Sequence, residues 1–106
     1  MMTRTVDIPI YRGEIVIHWC EDLSTVQEKY ATIPLANFGA VTLRLDHRQY
    51  MVAFEGDIDL GLIAHEAVHL VNLIFTDTGV ILDPRNDEAQ AYLTAWVFDT
   101  IYETIK

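Results

Sequence analysis

The chain has one cysteine, seven basic residues and no long uninterrupted apolar run in 106 residues, and each scarcity excludes a class of protein. A lone Cys20 cannot close an internal disulfide, which fits a reducing compartment. The basic residues Arg4, Arg12, Lys29, Arg44, Arg48, Arg85 and Lys106 are scattered, so no patch exists to attract nucleic acid or an anionic membrane. The stretch from Leu60 to Phe75 is the richest in apolar residues, but two histidines and a glutamate interrupt it and it is too short to span a bilayer. No apolar run follows Arg4, so no signal peptide is expected, and a cytoplasmic protein is the default. Repeats, low-complexity tracts and linkers are absent as well.

What is present suits a folded domain. Apolar residues make up 51% of the chain, enough to bury a core. Sixteen acidic residues give a formal charge of −9, and their even spread reads as a solvated surface. The length holds one domain, residues 1–106.

Taken in order, residues 6–20 read as strands, first around Val6, Ile8 and Ile10 and then through the β-branched and aromatic run Ile15 to Cys20. Glu21 to Ala31 reads as a short helix and 32–40 as a loop with Pro34, Asn37 and Gly39. Val41–Leu45 and Tyr50–Phe54 read as a hairpin without the favoured Asn-Gly or Asp-Gly turn, with His47 exposed at its tip. Asp57 or Asp59 offers an N-cap for a helix from about Leu60 to Phe75, and Gly79 a left-handed stop. A last helix is expected from Pro84 or Asp87 to Thr104, capped by Asp83 or Asn86.

Within the first long helix stands His65-Glu66-Ala67-Val68-His69, an H-E-x-x-H sequence. Histidines four apart on a helix lie one turn apart on one face, so both imidazoles can reach one zinc ion with the glutamate beside them. His65, Glu66, His69, Asn72 and Thr76 fall on one narrow stripe, and apolar residues cover the rest. This pattern predicts a core helix with a single polar stripe. Burying two histidines and a glutamate there would cost several kcal/mol unless they are paired or hold a cation.

A catalytic zinc takes three protein ligands and keeps one position open. Glu88, 19 residues after His69, is the preferred third ligand, with Asp87 and then Asp83 as competitors. It heads a helical face shared with Ala91, Tyr92, Ala95, Asp99 and Tyr102, and the two alanines predict close approach of the preceding helix. Asn72 and Asp99 are candidates for orienting the histidines.

His65-Glu66-x-x-His69 followed by Glu88-x-x-Ala91-Tyr92 resembles the gluzincin clan of zinc metallopeptidases. It is especially similar to the small minimal zincins of phages and prophages, including those related to ImmA/IrrE-type and SprT-like proteins. The resemblance spans roughly the C-terminal half. It implies an α+β fold: a small zincin-like domain with a mixed or antiparallel sheet of three to four strands, an active-site helix and a C-terminal helix packed beside it. It implies Zn2+ bound by His65, His69 and Glu88, and hydrolysis of a peptide or protein substrate by a water that zinc and Glu66 activate. It also implies that the strand before the active-site helix, here Tyr50 to Phe54, is the sheet edge that receives the peptide. Leu73 stands where the ImmA/IrrE-type pattern often has a histidine. For the transition-state donor the sequence offers Tyr92, His18 or His47. Two rivals accompany the peptidase reading: a zincin-like metal-binding protein that acts by binding a partner, and a small acidic phage protein that mimics nucleic acid or blocks a host enzyme.

Overall fold

The computed structural model describes residues 1–24 and 39–106. The helix expected over Glu21–Ala31 and the loop after it fall largely outside the described residues.

Strands β1 (Met2–Asp7), β2 (Glu14–Cys20), β3 (Ala40–Asp46) and β4 (Gln49–Glu55) form one mixed sheet in the order β1-β2-β4-β3. β1 pairs antiparallel with β2, and β3 with β4, while β2 and β4 run parallel. Helices α1 (Leu60–Thr78) and α2 (Glu88–Ile105) pack on each other and on the sheet. The α+β class and the four-stranded mixed sheet therefore match the expectation.

Alternation along the strands builds two apolar layers, because successive side chains point to opposite faces. Ile15, Ile17, Tyr50, Val52 and Phe54 share the main core with Ile63, Leu70 and Ile74 of α1 and with Leu93, Val97 and Ile101 of α2. Cys20, Leu23, Met51 and Ala53 form a smaller cluster, against which Val16, Val41 and Leu43 pack.

Several local expectations need correction. β1 begins four residues earlier than the alternation suggested and ends at Asp7. Ile10 is instead the apex of a tight turn, with φ +68°, where the Tyr11 amide donates to the Pro9 carbonyl at 2.6 Å. Gly13 follows at φ +107°, and a Cβ there would collide with the Arg48 carbonyl, so only glycine fits. The hairpin tip manages without Asn-Gly because Arg48 adopts φ +59° and the register shifts between Arg44 and Asp46.

The largest topological correction concerns β4. It lies between β2 and β3, so Tyr50–Phe54 is not a sheet edge. The edges are β1 and β3, and the edge beside α1 is β3. The parallel pairing of β2 with β4 is what buries β4, and pairing between distant strands is not written in either strand's own sequence.

Candidate metal centre

Local sequence fixes the frame of α1. Asp59 Oδ1 accepts from the Leu62 amide at 2.8 Å, capping the first turn, and Gly79 ends the helix at φ +75°. Between these caps the apolar residues Ile63, Ala67, Leu70, Val71, Ile74 and Phe75 are buried, and Glu66 is buried with them. His65 and His69 face outward; the His65 side chain is 64% exposed. The open face also carries Ala64, Val68, Asn72 and Thr76. The expectation of a helix buried except for a stripe is therefore wrong for this side. The two histidines carry no desolvation penalty for a cation to relieve, and only Glu66 does.

What the structure adds is convergence. The Nε2 atoms of His65 and His69 lie 3.2 Å apart, with ring centroids at 4.8 Å and planes at 81°. Two nitrogens held by one tetrahedral ion at about 2.0–2.1 Å each would stand about 3.3 Å apart. The pair thus has the spacing of a chelate for a small ion. Glu66 Oε2 is 3.7 Å from His65 Nε2, and Thr42 of β3 donates its hydroxyl to Glu66 Oε1 at 2.8 Å. Ligand atoms of His65, Glu66 and His69 all lie within 4.8 Å of one another, close enough to share a metal ion. These three residues fit a divalent cation by donor type and spacing.

The cluster lines a groove between β3 and α1, walled by Ala40, Val41 and Thr42 on one side and by His65, Glu66, His69, Asn72 and Leu73 on the other. Its volume, about 470 Å³, lies within the range of small-molecule sites, roughly 300–1,000 Å³.

Among the described residues, Glu88 is not part of the cluster. It is the first residue of α2 and exposed, following Asp87 at the cap position. The face it heads is turned outward: Ala91, Tyr92, Ala95, Asp99 and Tyr102 are all exposed, while Leu93, Val97 and Ile101 make the buried face. The two alanines line an open groove with Val68 and Asp99 rather than a tight helix contact. A helix with alanines and aromatics on several faces leaves the choice of buried face to its neighbours, and the larger aliphatic set won. Asp83 lies in the exposed connection before α2, where its carboxylate accepts from the Arg85 amide.

The other nominated residues are dispersed. Tyr92 is 74% exposed and lines a separate groove with Pro9, Ile10, Tyr11, Ala89, Leu93 and Trp96. His18 is buried in β2, its Nδ1 3.0 Å from the Thr3 hydroxyl, and His47 sits exposed at the hairpin tip. Asn72 alone of the proposed auxiliaries lines the histidine groove.

A second polar cluster went unread in the sequence. Asp77, near the end of α1, receives Arg44 Nε at 3.0 Å and the Tyr50 hydroxyl at 2.7 Å, and pairs with Arg44 Nη2 at 2.6 Å. Burial pushes its carboxyl upward, but the Tyr50 hydrogen bond and the Arg44 charge outweigh that and hold it below the usual carboxylate range. Burial first, and the bond to Asp77 second, push the Tyr50 hydroxyl far above its ordinary value. Neither Thr42 nor Arg44 carries a local motif. Their role follows from β3 lying beside α1.

No helix among the described residues is long and apolar enough to cross a membrane. No protein-family model, no curated protein and no solved structure matches the chain.

Proposed function

We propose that this chain is a zinc-dependent metallopeptidase, with His65 and His69 holding the ion and Glu66 as general base. One observation carries the reading: two imidazole nitrogens 3.2 Å apart open onto a groove beside a buried carboxylate. The resemblance of the H-E-x-x-H helix to minimal gluzincins supports peptide bonds as the target. When bound, the metal supplies Lewis acidity to the water and to the scissile carbonyl. Glu66 takes the proton of the attacking water and delivers it to the leaving amine. Burial keeps Glu66 from bulk solvent, and its Oε2 lies on the side of His65. Glu88 remains the expected third ligand in this reading, although its carboxylate must close towards the histidines to serve. Tyr92 lines a different groove, and the reading gives it no part in the chemistry. A single buried cysteine suits work in the reducing cytoplasm.

The test is metal analysis with peptide cleavage on protein purified without chelator. About one zinc per chain is expected, lost in His65→Ala and His69→Ala. Glu66→Gln should keep the zinc and lower cleavage of a peptide library about 10³-fold. Protein without zinc, or cleavage untouched by Glu66→Gln, would overturn the reading.

A second reading, a metal-holding protein that acts through a partner, draws on the exposure of both histidines and on Glu88 standing outside the cluster. Bound zinc without cleavage, with the Glu66→Gln phenotype intact, would favour it.

A further inference from the structure

Ala40, Thr42 and Arg44 alternate along β3 and share the sheet face that looks at α1, while Val41 and Leu43 pack in the cluster on the opposite face. Thr42, half-buried, stands opposite the core residue Val52 on the face that meets α1. Threonine has the shape of valine with one methyl replaced by a hydroxyl. That hydroxyl makes a single described contact, donation to Glu66 Oε1 at 2.8 Å. A carboxylate that is only 4% exposed needs a donor, and its orientation follows whichever donor it has.

We infer that Thr42 is the positioning residue for Glu66. By engaging Oε1 it fixes the plane of the carboxylate and leaves Oε2 on the side of His65, 3.7 Å from its Nε2. The group that must accept a proton is thereby held in one rotamer before substrate arrives, from an edge strand that also forms the opposite wall of the groove. The one bond described for the Thr42 hydroxyl goes to Glu66, so Thr42 acts through that residue. The inference rests on the peptidase reading for its catalytic meaning. The contact itself can be tested without that reading.

Two variants separate positioning from packing. Thr42→Val keeps the shape and removes the hydroxyl; Thr42→Ser keeps the hydroxyl. Thr42→Val should lower kcat for peptide cleavage about 10-fold, with zinc content and KM unchanged, and Thr42→Ser should recover most of the loss. In a Glu66→Gln background Thr42→Val should cost no further activity. Full activity in Thr42→Val, or equal damage in Thr42→Ser, would overturn the inference while leaving the peptidase reading in place.

Thermal unfolding provides the measure that does not need turnover. Thr42→Val should lower Tm by about 8 °C in the native background and by less than half of that in a Glu66→Leu background. Equal shifts in both backgrounds would mean that Thr42 does not hold Glu66, and the inference fails. Coupled shifts in a protein that binds zinc but cleaves nothing would retain the contact and defeat the peptidase reading instead.

Discussion

Glu66 and Asp77 are carboxylates on one helix, both largely sealed from water and both bonded by side chains from the same edge strand. Their partners differ. Asp77 receives a guanidinium through two nitrogens and a tyrosine hydroxyl, so its charge is matched and three donors reach its two oxygens. Glu66 receives one neutral hydroxyl on Oε1, and its other oxygen lies 3.7 Å from an exposed imidazole. A fully paired carboxylate ties elements together and has little left to offer a ligand. Glu66 keeps acceptor capacity that Asp77 has largely used. The same strand thus fastens one end of α1 through Arg44 and hydrogen-bonds Glu66 nearer the other through Thr42.

The comparison can be broken most forcefully at Asp77. Asp77→Ala leaves the Tyr50 hydroxyl without its partner and Arg44 without its charge, and should lower unfolding free energy by about 2–3 kcal/mol in urea titrations; the half-exposed Arg44 keeps the figure below that of a fully buried pair. Zinc content should not change, because the fastening and the metal cluster are separate.

A pH series sharpens the contrast next. The Asp77 carboxyl is held below its ordinary value, so its contribution is complete above the usual carboxylate range and disappears as pH falls from about 5 through the depressed folded value. Tyr50 is shifted the other way: its contribution is complete below about pH 10 and is lost as pH rises beyond it. In Asp77→Asn the acid-side loss measured by Tm should be visibly shallower than in the native chain.

The smallest effect is expected for Tyr50→Phe. It removes one hydrogen bond and leaves the Arg44–Asp77 pair, so a loss of about 1 kcal/mol is expected in the same urea titration. A loss as large as that of Asp77→Ala would mean that tyrosine, and not the ion pair, fastens the helix.

Legibility in the sequence varied with the range of the interaction. A cap at Asp57 or Asp59, the stop at Gly79, the strands through Ile15–Cys20 and Val41–Leu45, and the shared face of His65 and His69 rest on spacings of a few residues and are readable. In the sequence Ala91 and Ala95 read as a close-packing seam, whereas Leu93, Val97 and Ile101 bury more apolar surface and set the buried face of α2. The histidines were expected in the core because apolar residues surround them in sequence; Ala64 and Val68 lie exposed beside them instead. Thr42 looked like an ordinary strand residue, since its partner is 24 positions away.

By itself, then, the sequence determined that one helix would carry two imidazoles a turn apart with a glutamate next to the first, because helical pitch converts spacing into direction. Only the tertiary structure decided that the imidazoles face water while the glutamate is buried against β3. Strand order brought β3, rather than β4, alongside α1, and with it the hydroxyl that holds Glu66 and the guanidinium that holds Asp77. Those choices depend on which surfaces pack together, and no local spacing encodes that.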